Sequence, residues 1–194
     1  MLFRSPPERP IPGSTRRARE VRAVTGVRRE LPGFASPLPT IDASVVVRSA
    51  RSLGVYGPDF TYAHHAYQSS ALVGVVALVV FGTLAFLVRF APFRALFLAA
   101  AKKPGEGPTE AQMDRAWFKL RFIAECDDRV LRTEVSGGDL GYRETSKILG
   151  ESAMCLALDR AVLPARAGLL TPVEAMGEKL LDRVERAGLR FVTL

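Results

Sequence analysis

The chain has 194 residues, a formal net charge of +7, 48% hydrophobic residues and two cysteines, a length that suits one domain with appendages and is short for a complete two-domain enzyme. Nine Arg against four acids give +5 over residues 1–50, five bases against one acid give +4 over residues 51–103, and thirteen bases against fifteen acids give −2 over the rest. Bases placed at the front suit an anionic membrane surface and argue against a nucleic-acid reader, while Cys126 and Cys155, with no CxxC pair and no His/Cys cluster at metal spacing, argue against a metal site and for two reduced structural thiols.

Residues 1–36 are rich in Arg and Pro, with Arg16, Arg17, Arg19, Arg22, Arg28 and Arg29 and no apolar periodicity, and are expected to form a basic, loosely ordered arm. A transit peptide or the cut end of a longer protein are alternatives, the first opposed by Glu20, Glu30 and the prolines. From Pro37 the character changes. Asp42 or Ser44 offers an N-cap to a helix carrying Val45, Val46, Ser49, Ala50 and Leu53, which Gly54 closes. Phe60, Tyr62 and His64 follow at a spacing of two, and His64 and His65 read as edge or surface imidazoles because no carboxylate is spaced to orient them.

Ala71–Val88 is an uncharged run in which twelve of eighteen residues are Leu, Val or Phe. A helix of that length covers about 27 Å, close to the ~30 Å hydrocarbon core of a bilayer. Insertion of those twelve side chains is worth on the order of 5 kcal/mol. The run reads as a membrane-associated apolar helix, with a buried core helix as the alternative. Arg89, Pro92 and Arg94 interrupt it before a second, amphipathic piece ending at Lys102 and Lys103. The expectation over residues 71–101 is therefore a re-entrant or interfacial helical hairpin broken near Pro92, anchored at the headgroups by Arg89, Arg94, Lys102 and Lys103, with both flanks on the cytoplasmic side.

Pro104–Pro108 reads as a linker. Residues 117–125 and 129–136 alternate polar with apolar across a turn at Asp127 and Asp128, which predicts a β-hairpin with Phe118, Leu120 and Phe122 on one face and Lys119 and Arg121 on the other. Gly137, Gly138 and Gly141 then turn the chain into a helix bearing Ile148, Leu149, Ser152, Cys155 and Leu156, with Gly150, Ser152 and Ala153 small enough for close packing. Thr171, Pro172 and Glu174 form the signature of a capping box, followed by a stripe of Val173, Met176, Leu180 and Val184. Gly188 ends that helix, and residues 189–194 read as a terminal strand. The fold class is α+β: an antiparallel hairpin with packed helices and a terminal strand, plus the apolar helix or helical hairpin and the basic arm.

The glycine turn is the one place where chemistry is expected. A loop entering a helix presents free first-turn amides that bind an anion or a carbonyl oxygen. Gly141, Tyr142 and Thr145 are candidate substrate-binding residues there, with Lys147 nearby; the alternative is a tight strand-to-helix turn with Tyr142 packed and Thr145 bonded to backbone. The G-G-x-x-G spacing is not that of a dinucleotide fingerprint, so no cofactor-binding residue, no metal ligand and no catalytic residue is assigned.

Five blocks carry a resemblance: PLPTID (37–42), YGPDF (56–60), PGEGPTE (104–110), EVSGGDLGYRETSKILGESAMCLA (134–157) and LLTPVEAMGEKLLDRVERAGLRF (169–191). In this order the chain resembles the C-terminal portion of saccharopine dehydrogenase-like oxidoreductases, the group that includes trans-acting enoyl reductases. The resemblance implies a substrate-side and dimerisation domain over 37–194, interrupted by the membrane-associated segment 71–101. It implies a lipid-related substrate and a nicotinamide cofactor, NAD(P), held by an N-terminal Rossmann domain. No cofactor is expected on this chain alone, which then needs a Rossmann-bearing partner or an upstream domain and is inactive without it. A homodimer and a membrane surface are the other expected partners, and nucleic acid is not one. The rival reading is a non-catalytic membrane-associated adaptor.

Overall fold

A computed structural model describes residues 17–21, 26–28, 31–38, 40–101 and 105–194. They are a mixture of helices and small sheets in two compact units, Met1–Ala101 and Lys102–Leu194.

In the first unit, strand β1 (Arg17–Glu20) pairs in parallel with β4 (Asp59–Tyr62). Helix α1 (Asp42–Ser52) packs on that pair, burying Ala43, Val47, Ser49 and Ala50. Ala18, Val47 and Ala50 form the small core, with Tyr56, Phe60 and Tyr62 packed against it. Arg51 locks helix to strand by donating from Nε and Nη2 to the Ala18 carbonyl at 3.1 and 2.8 Å. A second sheet has the order β2 (Gly26–Arg28), β3 (Leu31–Pro37), β5 (His65–Gln68), antiparallel throughout. The basic arm is thus not loosely ordered wherever it is described: its main chain finds ladder partners in strands that begin only after residue 58. Arg16, Arg22 and Arg29 lie outside the described residues.

The buried stripe of α1 falls on Val47 rather than on Val45, which is exposed. Asp42 is the first helical residue, after Ile41 at the cap position.

Helix α2 (Ala71–Leu87) follows β5, turns at 88–90 and continues as α3 (Ala91–Ala100), which begins with Pro92 in its first turn. Among the described residues no single helix is long and apolar enough to cross a membrane; α2 and α3 reach that composition only together, across a 114° bend. A single transmembrane helix over 71–88 is thus not supported, and the break expected near Pro92 falls at 88–90, two residues before the proline. Nor is α2 a core helix within this chain, since Gly74 is its single buried residue. Gly74 lies against the Phe34 ring, where a Cβ would come within 2.1 Å of Cδ1. That contact roots the first turn of α2 on β3.

The second unit opens with a short helix that sequence reading missed, α4 (Glu110–Arg115), started by a reciprocal capping box in which the Thr109 side chain accepts from Gln112 N–H at 3.3 Å and the Gln112 side chain from Thr109 N–H at 2.9 Å. The expected hairpin is present as β6 (Phe118–Cys126) and β7 (Arg129–Gly137), in register Leu120↔Val135 and Arg121↔Glu134. Asp127 takes the turn at φ 52°, a conformation aspartate tolerates better than most residues. Lys119 and Arg121 share the polar face as expected and both clamp Glu134, at 3.0 and 2.9 Å.

Next come α5 (Thr145–Leu158) and α6 (Pro172–Arg186), which pack on one another. The terminal strand β8 (Arg190–Thr193) completes the order β6-β7-β8 by pairing antiparallel with β7. The stripe expected on α6 is only half right. Met176 and Val184 are buried, but Val173 is exposed and Glu174 is buried instead, because Gly177 at φ 54° breaks the helical phase. Nor does Gly150 serve close packing, since a Cβ there would meet open space.

Candidate functional site

The glycine turn is built by the end of β7 and a π-helical turn, Leu140–Glu144, that runs directly into α5. Two of its glycines are needed for packing inside the fold. A Cβ at Gly137 would come within 2.6 Å of the Phe118 ring, and one at Gly138 within 3.1 Å of Glu144 Oε1. Glu144 is buried and accepts from Lys147 Nζ at 3.0 and 3.2 Å, so the lysine near the turn is committed to its neighbour.

The amides at the start of the turn are not free. Asp139 Oδ2 accepts from the N–H of Tyr142 at 2.7 Å and of Arg143 at 3.1 Å. A carboxylate therefore occupies the position a phosphate would need, and it repels a second anion. The turn does not fit a dinucleotide pyrophosphate. The expectation of an anion site at open amides is corrected by Asp139, whose capping role is visible in sequence as an acid three residues ahead of Tyr142.

Gly141, Tyr142 and Thr145 do lie together on this one turn. Thr145 Oγ1 donates to the Leu140 carbonyl, which leaves its lone pairs as acceptors. Tyr142 is 53% exposed, with its ring beside Gly107. Arg143 is drawn the other way, donating to Asp114 Oδ1 at 2.6 Å and to Glu110, which ties the turn to α4. What the turn offers a ligand is thus an exposed phenol and a hydroxyl, with no unspent charge.

Between α5 and α6, Glu151, Asp159, Lys179, Arg183, Arg186 and Ala187 line a cavity of about 280 Å³. Arg183 donates to Asp159 Oδ2 at 2.5 Å and to Glu151 Oε2 at 2.9 Å, a forked bridge between the two helices. The Arg183 hydrogen bond holds the Asp159 carboxyl below the ordinary carboxylate range. Beneath them Cys155 is fully buried, and burial, followed by the Asp159 charge, pushes its thiol upward, so it is an inert structural cysteine. Glu134, held by Arg121 and Lys119, is depressed likewise. A group whose folded pKa is depressed contributes stability above its unfolded value, about 4 for carboxyls, and loses it as the pH falls through the folded value. The thermal midpoint should stay level above that range and drop below it. Arg183→Met should flatten the acid drop and lower the midpoint at neutral pH, as measured by thermal unfolding across pH; an unchanged acid limb would contradict the assignment.

The histidines are less isolated than their spacing indicates. His64 Nδ1 lies 3.4 Å from Thr40 Oγ1 and 3.8 Å from Asp42 Oδ2. Leu38 N–H donating to the His64 carbonyl at 3.3 Å brings these segments together, a long-range pairing that no local spacing reveals. Burial, then the Asp42 charge, raises the Tyr62 phenol, whose ring meets that of His64 edge-on at 6.1 Å. At 3.8 Å the carboxylate is beyond hydrogen-bond reach, so the arrangement orients no base. Arg89 and Arg94 are exposed on the α2–α3 elbow and on α3; Lys102 and Lys103 lie outside the described residues. Among the described residues no group of three His, Cys, Asp or Glu is placed to hold a metal.

No protein-family model matches the chain, and no solved structure matches it. Among curated proteins it is 34% identical over 160 residues, 76% of its length, to a Mycobacterium tuberculosis protein provisionally named a trans-acting enoyl reductase. It is 31% identical over 183 residues, 84% of its length, to the human saccharopine dehydrogenase-like oxidoreductase. The Mycobacterium ulcerans trans-acting enoyl reductase is 38% identical over 88 residues, 44% of the chain and 21% of that relative. The chain spans 38% of the first of these relatives and 43% of the second.

Proposed function

The homologues of this chain are saccharopine dehydrogenase-like oxidoreductases and trans-acting enoyl reductases, of which it matches a C-terminal-like portion, and on that premise we propose that it is the substrate-side and dimerisation part of an NAD(P)-dependent oxidoreductase acting on a lipid-like molecule. The observation that carries the division of labour is Asp139. With its carboxylate on the amides of Tyr142 and Arg143, the glycine-rich entry to α5 is closed to a pyrophosphate, which supports a nicotinamide held by a Rossmann-bearing partner or domain. When bound there, the cofactor supplies the hydride. This chain's task is to hold the acceptor: the exposed Tyr142 phenol donates to its carbonyl beside the side-chain-free Gly141, while the Thr145 hydroxyl, whose proton goes to the Leu140 carbonyl, accepts from a ligand hydroxyl or N–H. Dimerisation is supported by α5, where Leu149 and Leu156, seven residues apart on one side of the helix, are both exposed.

The test is reconstitution. The chain mixed with the Rossmann-bearing segment of a relative is expected to form a complex that binds NADPH and reduces an enoyl-lipid substrate, and Tyr142→Phe in that complex is expected to raise KM more than it lowers kcat. A well-formed complex indifferent to Tyr142 would sink the substrate-side assignment.

A further inference from the structure

Among the described α-helices, α2 alone carries no charged residue on any side. Leu72, Val73, Val75, Val76, Leu78, Val79, Val80 and Phe81 are all exposed, and successive residues at 100° intervals place them around the whole circumference. Phe81, near the middle, is 71% exposed. A helix apolar all round is enclosed by the core of a larger protein or by a membrane, whereas a docked partner or a second copy of this chain covers a stripe; the charges beside α2 favour acyl chains.

The charges agree. Between residues 71 and 101 there is no acid, and the two bases, Arg89 and Arg94, sit at the elbow and one turn into α3. Phe86, Phe90, Phe93 and Phe97 flank them in sequence, with Phe86 and Phe90 in edge-on contact at 5.3 Å. Aromatic rings beside arginines are the composition of a headgroup boundary. At the other end, the contact of Gly74 with Phe34 fixes the first turn to the protein body. From that root to the elbow α2 extends about 20 Å.

We propose that α2 and α3 form a bent lipid-insertion element, with α2 embedded among acyl chains from its root at Gly74 and with Arg89 and Arg94 bound to lipid phosphates at the elbow. The partner is an anionic phospholipid bilayer. The element is independent of the cofactor question, because none of its residues belongs to the glycine turn.

The test uses the full chain with Trp117→Phe and Phe81→Trp, incubated with vesicles of equal parts phosphatidylcholine and phosphatidylglycerol. The protein is expected to float with the vesicles in low salt and equally in about 1 M salt, where the Debye length is ~3 Å and surface attraction is screened. The indole is expected to be quenched by lipids brominated on the acyl chain. Val79→Lys with Val80→Lys should lower the floated fraction more than tenfold while amide-exchange protection of β3 and β5 is retained, and Arg89→Gln with Arg94→Gln should lower the preference for anionic over zwitterionic vesicles several-fold. Flotation confined to low salt would mean a peripheral charge contact and overturn the proposal. So would a chain that stays unfloated as an oligomer with the indole shielded, since a second copy would then be the cover.

Discussion

Gly74→Leu is expected to unfold the first unit at a temperature about 10 °C lower, whereas Gly82→Leu in the same helix is expected to leave it unchanged or raise it slightly. At Gly74 a Cβ would lie 2.1 Å from Phe34 Cδ1 and 2.8 Å from Cε1, and Phe34 is itself buried in β3. The ring has to leave its place or α2 has to lift from the sheet, and overpacking of this kind costs about 1–3 kcal/mol. For a unit of this size each kcal/mol shifts the midpoint by about 4–8 °C. Gly82 has nothing within 4 Å of the corresponding position, so leucine there meets no clash and recovers up to about 1 kcal/mol of helix propensity. The pair separates packing from propensity. Thermal unfolding in detergent, read by amide exchange at β3 and β5, measures it, and equal midpoints for the two variants would show that α2 is not seated on Phe34.

Glu174→Ala is expected to destabilise the second unit by about 2 kcal/mol, and Glu174→Gln by clearly less. The Glu174 side chain is 4% exposed and its Oε2 accepts from Thr171 N–H at 2.7 Å. Alanine leaves that donor buried without a partner, which costs more than the bond itself contributed. The geometry amplifies the loss: Gly177 breaks the helix one turn later, so the segment carrying buried Met176 is held mainly by its cap. Amide exchange over residues 172–176 should rise in the alanine variant before any global change. Glutamine retains an acceptor oxygen and should restore most of the protection; equal losses for both would point to charge rather than to the cap.

What could be read from the sequence was what is local. The β6–β7 alternation, the turn at Asp127, the box of Thr171 and Glu174 and the end of α6 at Gly188 are fixed by neighbours within a few residues, and each stands where its signal places it. What could not be read depends on distant partners. Arg17–Glu20 is an arginine-rich stretch with no period, yet it forms a strand because Asp59–Tyr62 lies beside it. His64 and Asp42 are twenty-two residues apart in sequence and meet only through the pairing of Leu38 with His64. The interruption of α6 is local in origin but was masked by a run of good helix formers around Gly177. At the candidate site the same division holds: that Gly141, Tyr142 and Thr145 share one turn follows from their spacing, and Asp139 stands ahead of them as an acid in capping position, but that its carboxylate takes both amides shows only in the path of the π-helical turn.

The central claim is that this chain supplies the acceptor side of an oxidoreductase and leaves the nicotinamide to another domain. Titration of the purified chain with NADPH, followed by cofactor fluorescence, tests it most directly. The account predicts no saturable change at micromolar cofactor with the chain alone, and a saturable one once the Rossmann-bearing segment of a relative is added. Saturable binding to the isolated chain would contradict it.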